Sequence, residues 1–298
     1  MRIASLVPSS TEMVFALGLG DQVVAVTHEC DYPPEAAAKP HLSDTVIAPG
    51  LSPGEIDAEV KHVVGLGEPL YSLKAEVLEA AAPDLIIAQD VCAVCAVSYD
   101  DVVEIASRMP NQPKVLKQDP LDLAGVMENA VEVATAAGVP ENGERLKRKM
   151  QQRIDAVRDA VSGETPKTVL ALEWLDPPFT GGHWVPEMIS LAGGIDLVGQ
   201  AGHKSTETTW DLLEPLNPDV VVVMPCGFYA DEAEKQARDF IDRIGSLSPG
   251  AVFAVDAAAS FSRPGPRLAD GVELLGHLLH PDRVPAPDGL ASVPVSLG

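Results

Sequence analysis

Pro83-Asp84-Leu85-Ile86-Ile87-Ala88-Gln89-Asp90-Val91-Cys92-Ala93-Val94-Cys95-Ala96-Val97-Ser98 pairs an apolar run with a cysteine-bearing loop. Leu85 to Ala88 has the length and composition of a strand buried on both faces. Cys92 and Cys95 therefore stand just past the carboxyl end of a strand, the edge where open α/β sheets bind ligands. The other two cysteines repeat the arrangement. Cys30 follows Val23-Val24-Ala25-Val26, within Thr27-His28-Glu29-Cys30-Asp31-Tyr32. Cys226 follows Val220-Val221-Val222-Val223-Met224.

Outward from that stretch, strands alternate with helices. Residues 2 to 7 read as a first strand, followed by an apolar helix ending near Gly18 and Gly20. Ser9 with Glu12 three residues on has the form of a capping box. Residues 22 to 26 read as a second strand, and residues 41 to 54, with Pro49-Gly50 and Pro53-Gly54, as loop. Between about 121 and 161 the pattern turns helical, with a break expected at Gly138-Val139-Pro140. Strand and helix then alternate again: strands at 168 to 172, 219 to 224 and 252 to 255, a helix over Tyr229 to Ile244 and another over Leu268 to Leu279. The tail from Pro281 reads as irregular. Pro83-Asp84 and Pro218-Asp219 open equivalent strands in the two halves. The fold class expected is α/β: two doubly wound, Rossmann-like lobes, 1–121 and 166–298, joined by a rigid helical spine over 122–165.

Bulk composition narrows the function. The chain has 298 residues, 46% hydrophobic and 22% charged, as in soluble globular proteins. A net charge of −23 argues against nucleic acid and against anionic lipid as partners. No apolar run is long enough to span a bilayer. Met1-Arg2-Ile3-Ala4-Ser5 enters a strand at once, so a cytoplasmic location is expected of the sequence as given, and an extracytoplasmic one if its N-terminus has been trimmed. G-x-S-x-G, Walker and G-x-G-x-x-G signatures are missing where an enzyme of those classes would carry them, so binding is expected rather than catalysis.

Eight of the thirteen aromatics fall in or beside loops after strands: Tyr32, Tyr99, Trp174, Phe179, Trp184, Phe228, Tyr229 and Phe261. They suit either a cleft offering flat apolar surface to a large ligand or plugs at the sheet edges. Cys30, Cys92, Cys95 and Cys226, with His28 and His183, form a candidate metal set; soft sulfur ligands select zinc or an iron–sulfur cluster. A C-x-x-C beside a helix N-terminus equally permits redox chemistry, and free thiols remain the plain alternative.

Together, Ser5-Leu6-Val7-Pro8-Ser9-Ser10-Thr11-Glu12, Asp31-Tyr32-Pro33-Pro34, Pro83-Asp84-Leu85-Ile86, Asp176-Pro177-Pro178-Phe179-Thr180-Gly181-Gly182, Leu191-Ala192-Gly193-Gly194, Pro218-Asp219-Val220-Val221 and Arg263-Pro264-Gly265-Pro266-Arg267-Leu268 run over nearly the whole chain. In that order they resemble the cobalamin- and iron-siderophore-binding proteins of ABC importers, and the Asp-Tyr-Pro-Pro and Pro-Pro-Phe segments most resemble the cobalamin branch. The resemblance implies a monomer that holds a corrinoid or related metal chelate in a cleft between two lobes. It assigns Pro8, Ser9, Tyr32, Trp174, Phe179 and Trp184 to the ligand, and Phe228 joins them as a loop aromatic after a strand. It implies an ABC permease as partner, docking on Glu76 and Asp211. The cysteine set departs from the family's pattern, so a cytoplasmic metalloprotein or enzyme with a cysteine-ligated cluster or zinc stands as the alternative.

Overall fold

A computed structural model of the chain describes residues 1–89 and 97–297. These divide into two compact units. The first comprises Met1–Pro120, Ala124–Lys149 and Pro264–Pro266; the second comprises Leu121–Leu123, Met150–Arg263 and Arg267–Gly298.

The first unit is built on β1 (Ile3–Ser5), β2 (Val23–Ala25), β5 (Leu85–Gln89) and β6 (Lys114–Gln118), in the parallel order β2-β1-β5-β6. Two short strands, β3 (Ser43–Thr45) and β4 (Tyr71–Leu73), make a separate antiparallel ribbon. Helices α1 (Pro8–Ala16), α2 (Pro53–Gly65), α3 (Ala75–Ala81) and α4 (Tyr99–Arg108) connect the strands. Alternate residues of the strands face opposite ways. Ile3, Leu85 and Ile87 join one buried cluster with Met13 and Val14, whereas Ala4, Ile86 and Ala88 join another with Leu78 and Val102. A sheet covered on both faces has no polar side, hence the unbroken apolar run Leu85–Ala88. Next come α5 (Leu123–Ala136) and α6 (Pro140–Ala160), separated where Gly138 takes φ +78°.

In the second unit β7 (Lys167–Leu175), β8 (Pro178–Thr180), β9 (Gly194–Asp196), β10 (Val220–Val223), β11 (Ala251–Val255) and β12 (Ser292–Pro294) form one sheet. Its parallel part runs β9-β7-β10-β11, with β8 antiparallel to β7 and β12 antiparallel to β11. Both units thus share one topology: the first two strands wind one way and the next two the other. The order reverses between β1 and β5, and again between β7 and β10. Ligands of doubly wound sheets bind beyond the carboxyl ends of the strands at such reversals. Helices α7 (Val185–Leu191), α8 (Trp210–Leu213), α9 (Ala230–Asp239), α10 (Ile241–Ser246), α11 (Ala257–Ser260) and α12 (Leu268–Leu279) complete the unit. One face of its sheet buries Leu170, Leu172, Val221 and Val223 against Ala233, Ala237 and Ile244.

The Pro-Asp pairs do matching work. Asp84 Oδ2 accepts from the Arg2 amide at 2.7 Å, and Asp219 Oδ2 accepts from the Thr168 amide at 2.8 Å. Each aspartate pins the start of the third parallel strand to the start of the first. The Thr168 backbone bond holds the Asp219 carboxyl below the usual carboxylate range, with help from the Thr168 hydroxyl.

Four local expectations need correction. Ser9 is not an N-cap: Pro8 occupies the first helical position, Val7 precedes it without a side-chain cap, and Ser9 and Glu12 lie buried inside α1. The capping box is at α2, where Ser52 Oγ accepts from the Glu55 amide and Glu55 Oε2 accepts from the Ser52 amide at 2.8 Å. Residues 41 to 54 include β3, a three-residue polar strand that carries no apolar alternation. Tyr229 to Ile244 is two helices meeting at Phe240, and the tail contributes β12, whose Pro294 sits on the sheet edge. The Ser52→Ala variant is expected to lose about 1 kcal/mol, because the Glu55 amide loses its partner at an exposed helix start and the Glu55 carboxylate loses the Ser52 hydroxyl; urea denaturation checks it.

Candidate functional site

The carboxyl end of β7 gathers the aromatic candidates of the second unit. Trp174 lies directly opposite Phe179 across the β7–β8 pair, which places both side chains on one face. The loop after β10 supplies Phe228, whose ring centroid is 5.7 Å from that of Trp174 at an interplanar angle of 48°. All three side chains are half-buried, and the indole donates to the Asp176 carbonyl at 3.1 Å. A half-buried cluster of flat rings at a topological reversal suits an apolar, planar or macrocyclic ligand.

Trp184, by contrast, is only 5% exposed and donates to the Phe261 carbonyl at 2.7 Å. The sequence grouped it with the ligand aromatics; the structure makes it an internal anchor between the start of α7 and the end of α11.

Beneath this aromatic face the chain packs tightly. The register of β7 against β8 slips between Leu172 and Trp174, so Glu173 is the extra residue of a β-bulge. A bulge re-aims a side chain, and Glu173 Oε1 accepts from the Gly182 amide at 2.8 Å. Its carboxyl lies deep among protein atoms, although the residue as a whole retains some exposure. Burial pushes its pKa up to about 7 against the opposing effect of bonds from Gly182 and Ser205, and Asp196 nearby pushes it the same way. Asp196 is also raised, by burial first, although its Oδ1 accepts from the Val198 and Gly199 amides at 3.0 and 2.7 Å. Residues 202–208 cross β8 and its extension: Thr180 donates to the Thr206 carbonyl at 3.0 Å, Thr208 to Pro178 at 2.9 Å, and Gly202 to His183 at 2.8 Å. Gly182 is required at this crossing. A Cβ there would come within 2.1 Å of the Ser205 nitrogen.

The described metal candidates sit in different local settings. Cys30 is 2% exposed in the core of the first unit, its sulfur 3.1 Å from the hydroxyls of both Thr11 and Thr27. Cys226 is exposed after β10, and its amide donates to the Glu173 carbonyl. Cys92 and Cys95 lie outside the described residues. Among the described residues no group of three or more His, Cys, Asp or Glu side chains could hold a metal ion. His28 is half-buried, its Nδ1 2.9 Å from Ser43 Oγ and its ring 5.8 Å from Tyr71. His183 takes φ +50°, and burial first, then Lys204, lowers its pKa. Alkylation of the native protein is expected to label Cys226 readily and Cys30 only after unfolding, which peptide mass spectrometry reads directly.

The remaining candidates belong to both units. Pro8 opens α1 half-buried and Ser9 is buried behind it, both just after β1. Tyr32 is 45% exposed. Glu76 is exposed in the first turn of α3, and Asp211 is exposed in α8.

Fold and topology define a class. Residues 3–244 match the model of the periplasmic binding protein family, and the chain belongs to that family. Among particular relatives, it is 26% identical over 288 residues to an uncharacterised ABC transporter substrate-binding lipoprotein of Bacillus subtilis, covering 94% of this chain and 80% of the relative. It is 24% identical over 274 residues to a vitamin B12-binding protein of Vibrio cholerae, covering 91% and 86%. Two solved structures share the fold: the periplasmic vitamin B12-binding protein of Vibrio cholerae, at TM-score 0.68 and 22% identity over 92% of this chain and 94% of the other, and the periplasmic heme-binding protein of the same species, at 0.70 and 21% over 94% and 99%.

Proposed function

We propose that this chain is the substrate-binding component of an ABC importer and that its substrate is a corrinoid such as cobalamin. The aromatic face formed by Trp174, Phe179 and Phe228 at the β7/β10 reversal is the observation that carries this. A corrin macrocycle offers a large apolar surface that three adjoining rings can cover, with backbone groups of the same loops left for its amide side chains. The vitamin B12-binding relative from Vibrio cholerae supports a corrinoid, and the heme-binding structure of like fold makes heme the competitor to test.

Tyr32, Pro8 and Ser9 are assigned to ligand contact on the first unit. Within the ring pair His28–Tyr71, Ser43 orients the His28 imidazole through Nδ1, which leaves Nε2 as the nitrogen to meet a bound metal. Burial and then Lys204 lower the His183 pKa, which favours the neutral imidazole on this second candidate. Glu76 and Asp211 are assigned to docking on basic pockets of the permease. The cysteine-ligated cluster has no support among the described residues, since Cys30 is enclosed by threonine hydroxyls and apolar core.

Absorption spectroscopy tests the substrate. Protein mixed separately with hydroxocobalamin and with hemin, then desalted, is expected to retain corrinoid bands at about one per chain and little hemin. Stoichiometric hemin with no corrinoid would replace the substrate. A band shift on corrinoid binding that disappears in His28→Ala would establish coordination through that ring.

A further inference from the structure

We propose that Glu173 is a positioning residue for the aromatic face: the bulge it forms in β7, tied from three segments, keeps Trp174 beside Phe179 and out of the core. The placement of the indole is independent of substrate identity; only its effect on affinity rests on the corrinoid assignment above.

The spacing of leucines along β7 shows what the bulge does. Leu170, Leu172 and Leu175 pack in one buried cluster, in steps of two residues and then three. Side chains of a regular strand alternate, so the residue two positions after Leu172 would share its face. That residue is Trp174. One extra residue reverses the faces of everything beyond it, and Glu173 is that residue. With it in place Leu175 enters the cluster, and Trp174 stands half-buried opposite Phe179.

A bulge disrupts the ladder, and the polar groups at it need other partners. Three segments supply them at Glu173. The Gly182 amide, just beyond β8, donates to Oε1 at 2.8 Å. The Ser205 side chain, on the segment that crosses β8, bonds to the same carboxyl. The Cys226 amide, in the loop that carries Phe228, donates to the Glu173 backbone carbonyl at 2.9 Å. The crossing is close, since a Cβ on Gly182 would lie 2.1 Å from the Ser205 nitrogen. Glu173 therefore joins the supports of all three rings. It precedes Trp174, it holds the segment whose Glu207 bridges to Phe179, and it receives the loop of Phe228.

Both side-chain bonds are received by carboxyl oxygens. Alanine at position 173 removes the acceptor and leaves the Gly182 amide and the Ser205 hydroxyl without it, in a crowded place where an unmade bond is costly. The bulge then loses its side-chain support, and the regular register, in which Trp174 turns toward the Leu170–Leu172 face, gains on it. Glutamine keeps the tie: its oxygen accepts from Gly182 while its amide donates to Ser205 Oγ.

A double-mutant cycle tests the role. Read by calorimetric titration, Glu173→Ala is expected to weaken hydroxocobalamin binding about tenfold in the wild-type background and less than about twofold in the Trp174→Ala background. Glu173→Gln is expected to bind within about threefold of wild type. Equal losses in the two backgrounds overturn the positioning role, since an effect that does not act through Trp174 adds to its removal. NMR of the ligand-free protein gives the second reading. A cross-peak between the Trp174 and Phe228 rings, whose centroids are 5.7 Å apart, is expected in wild type and in Glu173→Gln and lost in Glu173→Ala. Its persistence in Glu173→Ala overturns the role whatever the ligand. Should Glu173→Ala fail to fold, Ser205→Ala takes its place, with a loss of about threefold expected in the wild-type background alone, a weakened cross-peak, and the same overturning results. The expected cross-peaks beside a protein that retains no corrinoid would refute the substrate and leave the positioning role standing. Corrinoid binding that Glu173→Ala leaves unchanged would do the reverse.

Discussion

Replacing Trp174 with alanine is expected to weaken hydroxocobalamin binding about 10- to 100-fold while leaving the fold intact. The indole is half-buried at the reversal between β7 and β10, with Phe179 opposite and Phe228 at 5.7 Å, so it lines a face rather than filling a core. Covering one large aromatic side chain with ligand stabilises the complex by about 1.5–3 kcal/mol, and each 1.4 kcal/mol is a factor of ten. Calorimetric titration of wild type and variant checks the loss, and a matched urea curve checks the fold. A Trp184→Ala variant separates the two roles. Trp184 is buried and bonded to the Phe261 carbonyl, so its loss is expected to appear in stability, at about 3–5 kcal/mol, before it appears in binding. Equal binding by wild type and Trp174→Ala would remove the aromatic face from the account.

The second large effect is expected from Gly182→Ala. Its Cβ would fall 2.1 Å from the Ser205 nitrogen, a backbone atom that has no rotamer through which to escape. Segment 202–208 has to separate from β8, taking with it the bonds Thr180–Thr206 and Thr208–Pro178 and the Ser205 arm of Glu173. A destabilisation of about 1–3 kcal/mol is expected, as for other forced overpacking. Amide exchange at Thr180 and Thr208 is expected to accelerate as these bonds open. Unchanged stability and exchange in Gly182→Ala would mean that the crossing is not as tight as its geometry implies.

What the sequence made legible was governed by local rules. Leu85–Ala88 and the four valines of β10 read as doubly buried strands because nothing polar interrupts them, and each lies in the middle of its sheet. The paired Pro-Asp openings announced equivalent strands, and Asp84 and Asp219 do pin equivalent neighbours. Gly138 ended a helix where a left-handed residue was needed. Less legible were features set by tertiary context. Ser9 satisfies a capping pattern, yet Pro8 takes the helix start one residue earlier. The ribbon of β3 and β4 is short and polar and has no periodicity to find.

For the site, the aromatic signal grouped Trp174, Phe179 and Phe228, and the fold places these three rings side by side. The same signal gathered Trp184, because a loop position does not reveal which way an indole points. Cysteines at strand ends suggested convergence, but Cys30 turns inward onto Thr11 and Thr27. In the sequence Glu173 is one polar residue among several near the end of an apolar run. Its importance comes from a bulge and from a segment some thirty positions away, around Ser205, neither of which leaves a mark in local sequence. Gly181-Gly182 was the available clue, since paired glycines after a strand signal close backbone approach.

Isothermal titration calorimetry with hydroxocobalamin, with hemin titrated in parallel, tests the central claim most directly. A saturable corrinoid isotherm at about one site per chain, weakened in Trp174→Ala, is the predicted result. No corrinoid heat and no retained colour, beside stoichiometric binding of hemin, would contradict it and assign the aromatic face to a different macrocycle.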